Sequence, residues 1–413
     1  MRNKKLFGLT TALALTLSAA AGYAENIKIA FIDPLSGPFA ATGEDGLHQY
    51  EFAADVLVNE KGGVLDGQMF EIVPFDNKIS AKESLIQLQV AIDQGIRFIA
   101  QGNSSGVANA LTDAINKHNK RNPDKRVLFL NYSAVDPALT NDKCNFWHFR
   151  FDANADIKMD ALTDVIAGND EIKKVYIIGQ DYSFGKAVAA AAVRFLGEKR
   201  PDIEIVGNEL HPIGKIKDFT PYGRKIMATE ADAVITGNWG ADMRGLGKAI
   251  LENGYEGPIY TYYAAGTGIT AAFGESGKGS LKLVGEGQIN PPVSDRADSY
   301  AKAFKEKYPD DDLGQPRIAN VIEMLARAIN DAGSATDMVA VATALEGMEH
   351  DSIWGTKIKM REQDHQAIQA VHIQAHTDEV THDMDNSGYG LLVENTVDMA
   401  SADAPTTCKM KRP

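Results

Sequence analysis

Residues 96–118, IRFIAQGNSSGVANALTDAINKH, decide how the rest of the chain is read. Residues 96–100 form a short apolar run of the kind that fills a buried strand. The segment from Gly102 to Gly106 is too rich in glycine and serine to continue it, so the chain turns there. From there apolar residues fall at Val107, Ala108, Leu111 and Ile115, which is helical spacing. A loop of small residues between a strand end and a helix start leaves the first helical N–H groups without partners, and the helix dipole favours negative charge beside them. Ser104 and Ser105 are therefore the leading candidates for gripping an acidic small molecule. Two other readings of the loop stand beside this one. Gly102, Ser104 and Gly106 spell the Gly-x-Ser-x-Gly of a hydrolase nucleophile elbow, which makes a secreted serine hydrolase using Ser104 an alternative. A purely structural turn is the other.

Working outward, strands are expected over 27–32, 69–75 and 127–131, and in a second series over 175–179, 203–209, 233–236 and 258–262. Helices are expected over 46–59, 81–94, 294–308 and 318–332, with late strands over 357–360 and 368–374. Strands separated by helices of this length imply parallel βαβ units with helices on both faces of the sheet. The rhythm breaks around 144–152, so a crossover is placed near Phe151. A chain of 413 residues exceeds one ordinary core. The expected fold is α/β, with two doubly wound parallel-sheet lobes, a hinge and an interlobe cleft. Lobe 1 is assigned 25–150 and 285–350, lobe 2 is assigned 151–284 and 351–390, and 391–413 is a C-terminal tail. Loops at strand C-termini would line the cleft, where ligands bind in open α/β sheets.

Composition bounds the function. Hydrophobic content of 44% and charged content of 24% suit a soluble globular chain. Residues 1–24 are different: Arg2, Lys4 and Lys5 precede an apolar run that ends in Gly22, Tyr23 and Ala24. This reads as a signal peptide cut before Glu25, with no cysteine near the cut for a lipid anchor. The expected location is the periplasm. Removing the leader takes away three positive charges and no acid, making the balance more negative than the −14 of the whole chain. That argues against nucleic acid or an anionic membrane surface as partner. Cys144 and Cys408 are the chain's two cysteines, and in an oxidising compartment an even count favours one disulfide over two free thiols.

At this point the residues resemble a known family. The run from Asp33 to Gly43, DPLSGPFAATG, is similar to the opening of the type I periplasmic binding proteins, in the Leu/Ile/Val-binding branch that serves branched-chain amino acid uptake. Agreement continues at Gly62-Gly63, Ser104-Ser105, Ser133-Ala134 with Asp136-Pro137, Asp181 to Gly185 and Gly237 to Asp242. The resemblance implies a monomeric solute receptor, without cofactor or metal, whose lobes close on a ligand and then dock on a membrane ABC permease; a ligand-sensing module for a membrane receptor, with the same fold and cleft, is a further alternative. It further implies that the loops at Ser104-Ser105 and at Ser133 to Val135 hold a carboxylate, while Phe184 and Trp239 close over it from lobe 2. Amino-acid-binding members place an acid in the loop that here reads Tyr262-Tyr263-Ala264-Ala265-Gly266-Thr267, which has none. This departure weighs against an α-amino acid ligand unless Asp242 or Glu286 supplies the counter-charge. Phe39, Tyr182, Phe184, Trp239, Tyr262 and Tyr263 all fall in or beside cleft loops, which favours a flat aromatic or bulky apolar carboxylate.

Three features read as decoys. His372 and His376 alternate along a strand too far apart to share a metal and are expected at the surface. Gly274 to Ser280 lacks the spacing of a phosphate loop, and Asp310 to Asp312 reads as a solvated turn.

Overall fold

β1 (Ile27–Asp33), β2 (Phe70–Asp76), β3 (Phe98–Gln101), β4 (Leu128–Asn131) and β5 (His148–Arg150) form an all-parallel sheet in the order β2-β1-β3-β4-β5. These coordinates are a computed structural model and describe residues 25–413; the leader expected over 1–24 lies outside the described residues. β3 and β4 are buried along their whole length, because a parallel sheet with helices on both faces has no wet side. Helices Ala40–Leu57, Ala81–Asp93, Ser105–Arg121 and Arg317–Ala332 belong to this lobe.

The second lobe is built on β6 (Lys174–Gln180), β7 (Glu204–His211), β8 (Ala233–Thr236), β9 (Ile259–Thr261) and β10 (Leu281–Gly285). β11 (Glu349–Asp351), β12 (Lys357–Met360) and β13 (Ala367–Gln369) form a separate three-stranded sheet, while β14 (Val371–Thr377) and β15 (Gly390–Val397) complete the second lobe. Its order is β15-β14-β10-β9-β8-β6-β7, with β14 antiparallel to both β10 and β15. Ile157, Leu162, Val175, Ile177, Val188, Ile235 and Val284 make one side of its core. Gly185 shows how closely helix Ser183–Lys199 sits on β6: a Cβ there would lie 1.9 Å from the Gln180 carbonyl oxygen, so only glycine fits.

Three expectations about chain division change. The single strand over 368–374 is two strands in different sheets, separated by Asn-free, one-residue spacing at Ala370. The small sheet packs on lobe 1, through a bridge from Arg150 to Gln366 and a stack of His365 on Phe149 at 4.0 Å, so residues 351–366 stay with the first lobe. The tail starts later than 391, because β15 carries the chain to Val397. The first two differences arise from strands whose partners lie far away in sequence.

The chain therefore crosses between lobes near 152, 286 and 370, and the crossings are tied together. Gln366 Nε2 donates to the Asp152 carbonyl at 2.8 Å, Gln369 Nε2 to the Phe151 carbonyl at 3.0 Å, and the Ala153 N–H to Glu286 Oε1 at 2.6 Å. Cys144 and Cys408 are joined in a disulfide with a Cα–Cα distance of 5.8 Å, which pins the C-terminal segment to lobe 1. His372 and His376 are buried rather than at the surface; they bond the Thr396 hydroxyl and the Gly274 carbonyl, because β15 and the 268–277 segment cover that face. Asp312 is likewise no solvated residue: Lys305 Nζ reaches its carboxylate at 3.1 Å and the Asp385 N–H donates to it at 2.8 Å.

Candidate functional site

The helices fall into two groups by how they begin. Ser80, Asn154, Ser294 and Asp337 cap their helices with side-chain oxygens. Seven others have no side-chain cap, among them the helices that start at Ala40, Ser105, Ser183 and Gly240, which follow Phe39, Ser104, Tyr182 and Trp239. Except for Phe39, these residues line one cavity between the lobes, together with Ser105, Ser133, Val135, Phe184, Tyr262 and Tyr263. Its volume of about 60 Å³ suits a small solute. Phe39 stands behind the wall, packed on Trp239 with ring centroids 4.2 Å apart.

The first-lobe wall is the Gly102–Ser105 loop. The buried Asp33 carboxylate at the end of β1 accepts from the N–H groups of Gly102 (3.0 Å) and Asn103 (2.9 Å) and from the Tyr132 hydroxyl (2.6 Å). Burial pushes the Asp33 carboxyl up to about 7 against those three bonds. Gly102 is required where it stands, since a Cβ there would meet the Tyr132 ring at 2.5 Å. Ser104 then takes φ 80°, in the left-handed region that non-glycine residues enter at a cost. Among the described residues, no protein acceptor takes the N–H groups of Ser104, Ser105, Gly106 or Val107. Ser105 Oγ is occupied, accepting from the Asp136 N–H at 3.1 Å. The loop thus offers an oriented row of free amides and the Ser104 hydroxyl.

Aromatic rings make the opposite wall. Trp239 Nε1 donates to the Tyr182 hydroxyl at 2.9 Å, which fixes both rings. Phe184 meets Tyr262 and Tyr263 at centroid distances of 5.5 and 5.8 Å. The Tyr262 hydroxyl anchors the start of helix Ala155–Ala167 by donating to the Ala155 carbonyl at 2.8 Å.

The floor of the cavity was not anticipated. Lys158 from the second lobe and Arg317 from the first meet Asp152 and Glu286 at the lobe crossings, all four buried. Lys158 Nζ lies 2.6 Å from Asp152 Oδ1 and 3.4 Å from Glu286 Oε2; Arg317 Nε lies 3.1 Å from Asp152 Oδ2 and its Nη1 3.6 Å from Glu286 Oε2. Arg317 also donates to the Tyr132 carbonyl, to Gln315 Oε1 and, at 2.9 Å, to Ser133 Oγ. The Tyr263 hydroxyl lies 2.8 Å from Asp152 Oδ2 and 2.9 Å from the Ser133 carbonyl. Burial works against the charge on Asp152, yet the Arg317 and Lys158 cations outweigh it and hold that carboxyl below its usual range. Burial, aided by the Asp152 charge, pushes Glu286 up to about 7. Of the two acids considered as an ammonium partner, Glu286 lines the cavity, whereas Asp242 is turned aside and accepts from Gln180 Nε2 and the Gly214 N–H, both at 2.8 Å.

Lys158 and Arg317 left a trace in the sequence. Lys158 shares a helical stripe with Leu162 and Ile166, and Arg317 one with Val321, Leu325 and Ile329. A lone cation on an apolar stripe must be paired inside the protein. Among the described residues, no histidine lines the cavity and no cluster of three metal-ligating side chains forms.

The profile of a family described as "Periplasmic binding protein" matches residues 26–378. The chain belongs to the periplasmic binding protein family. It is 32% identical to the Leu/Ile/Val-binding protein homolog 4 of Brucella melitensis, across 97% of this chain and 96% of that protein. The closed conformation of a leucine-, isoleucine-, valine-, threonine- and alanine-binding protein from Brucella ovis superposes with a TM-score of 0.81 at 30% identity, covering 94% of this chain and all of that one. A solute-binding protein from R. palustris in complex with benzoate shares the fold, with a TM-score of 0.77 at 16% identity over 93% of this chain and 99% of that one. Members of the family are not enzymes, which sets aside the hydrolase reading of Ser104. No described helix is long and apolar enough to cross a membrane.

Proposed function

We propose that this chain is the periplasmic receptor of an ABC importer and that it captures a small carboxylate with an apolar or aromatic body, delivering it to a membrane permease. The observation that carries this reading is the pair of free amides at Ser104 and Ser105, at a helix N-terminus, facing the Trp239, Phe184 and Tyr263 rings across one cavity. A helix N-terminus with unpartnered N–H groups favours an anion, and flat rings favour an apolar body. Closure follows from the geometry. A ligand touching both the first-lobe serines and the second-lobe rings stabilises the closed arrangement by what it gains from the second lobe.

The floor weighs against an ammonium in the ligand. Of the two acids that line the cavity, Glu286 already faces Lys158 and Arg317, and Asp45 already accepts from Gln49 Nε2 and the Asp312 N–H. A third cation there would meet two others in a buried site. The branched-chain amino acid reading rests instead on the names of the Brucella proteins. A thermal-shift panel of aliphatic amino acids, their amides, and aliphatic and aromatic carboxylates separates the two. A ligand at 100 times its dissociation constant adds about 2.7 kcal/mol of stability. A shift with carboxylates and none with leucine or valine supports the proposal; a shift with leucine or valine and none with carboxylates overturns it.

A further inference from the structure

The floor of the cavity holds a buried ammonium that is short of acceptors. Lys158 Nζ has one close partner, Asp152 Oδ1 at 2.6 Å, and its next, Glu286 Oε2, lies at 3.4 Å. All three atoms are buried. Lys158 is fully enclosed, with its ammonium 4.8 Å from the centroid of the Tyr263 ring. An ammonium carries three donors, and leaving those beyond the Asp152 contact unmade inside a protein is costly. Arg317 Nη1 likewise makes no hydrogen bond, reaching only the 3.6 Å ion contact with Glu286. Such groups persist where something else completes them. All these residues except Asp152 line the cavity that the serine loop and the aromatic rings enclose.

We infer that the floor is a second polar subsite, in which Lys158 and Arg317 donate to an oxygen acceptor at the far end of the ligand. The inference rests on the reading of the site as a carboxylate receptor and narrows it. The ligand carries one carboxylate for the Ser104–Val107 amides and a second acceptor, a hydroxyl or another carboxylate, for Lys158. The Tyr263 ring, with Lys158 at 4.8 Å and the Arg317 guanidinium at 5.8 Å from its centroid, holds both cations beside the ligand's path. Asp152 and Glu286 keep the cations in place in the absence of ligand. Their position at the lobe crossings means that the completed subsite ties the first lobe, through Arg317, to the second, through Lys158.

Titration calorimetry of the exported chain with matched series tests this. Hexanoate, 6-hydroxyhexanoate, adipate and 6-aminohexanoate differ only at the far end, as do benzoate, 4-hydroxybenzoate, terephthalate and 4-(aminomethyl)benzoate. In at least one series, the hydroxyl or the diacid member is expected to bind tenfold or more tighter than the unsubstituted acid, with the ammonium member weakest. The stronger of the two tells a hydroxy acid from a diacid. Lys158→Met should bring the preferred member and the unsubstituted acid to within about twofold of each other. If that variant does not fold, the ranking on the unaltered protein still decides. Acids that bind without regard to the far substituent overturn the subsite and leave the carboxylate receptor standing. Binding of leucine with no acid in either series overturns both.

Discussion

The serine wall and the hinge floor of the cleft hold polarity in opposite ways. At the wall, one buried carboxylate, Asp33, orders a neutral loop, and the amides beyond it stay free. At the floor, two cations and two carboxylates crowd together, with their strongest interactions among themselves. The wall can meet an anion with little rearrangement, because its donors are fixed by backbone geometry. The floor is held by charges that share partners, so removing one member strands the others. On the proposed reading the wall governs affinity, whereas the floor governs both affinity and the stability of the hinge.

Arg317→Ala should break this contrast most severely. It removes the cation shared by Asp152 and Glu286 and the donor to the Tyr132 carbonyl and Ser133. Breaking a buried pair costs about 3–5 kcal/mol. Chemical denaturation should show a loss of that size, and a loss below 1 kcal/mol would mean that the floor is already open to water.

The two regions also differed in how far they could be read in advance. Ser104, Ser105 and the rings at Tyr182, Phe184 and Trp239 sit at strand-to-helix turns, so local pattern placed them in the cleft. The alternation of strands and helices likewise foretold two parallel-sheet lobes. Asp152, Lys158, Glu286 and Arg317 come from three separate segments, and no local spacing joins them. The same reason explains the misplaced boundary at 350 and the buried His372 and His376: β13 has only three residues, and β14 pairs with β10, far away in sequence. Phe39 was placed in the cleft by its loop, yet a turn cannot reveal that Trp239 stands in front of it.

Each region contains one acid raised to about 7, Asp33 at the wall and Glu286 at the floor, and burial is the main cause in both. Such a group binds its proton more tightly in the fold than in the unfolded chain, so its contribution to stability is full at acid pH and declines as pH rises toward 7. His148, His372 and His376 pull the other way, since burial keeps them neutral. The Asp33 share is therefore read as a difference. The stability of the unaltered protein relative to Asp33→Asn should fall by up to about 1.4 kcal/mol per pH unit between about 4 and 7. The same comparison with Glu286→Gln should show a similar fall, but a ligand should alter only the second. A ligand that altered both equally would make the two regions one electrostatic unit.

The Cys144–Cys408 bond lies outside both regions and so serves as a control on stability alone. Cys144→Ser with Cys408→Ser should lower stability by about 2–4 kcal/mol in denaturant melts. Ligand affinity should change by less than about twofold, because the bond holds the C-terminal segment to lobe 1 and neither cysteine lines the cavity. A larger change in affinity would show that the tail sets the hinge.

The smallest effect is expected at the residue with which the reading began. Ser104→Ala leaves the free amides of Ser105, Gly106 and Val107 in place and removes one hydroxyl, which makes no bond to the protein. A single neutral hydrogen bond is worth about 0.5–1.5 kcal/mol net, so affinity should weaken about three- to tenfold while the melting curve stays nearly unchanged. Alanine tolerates φ 80° no better than serine does, so any backbone strain is common to both proteins. Ser104→Gly separates the two contributions: it loses the same hydroxyl and relieves the strain. If glycine weakens binding no more than alanine does, the hydroxyl carries the effect. If glycine weakens it much further, the strained backbone is what keeps the amides aimed at the ligand, and the wall owes its grip to geometry held by Asp33 more than to any side chain of its own.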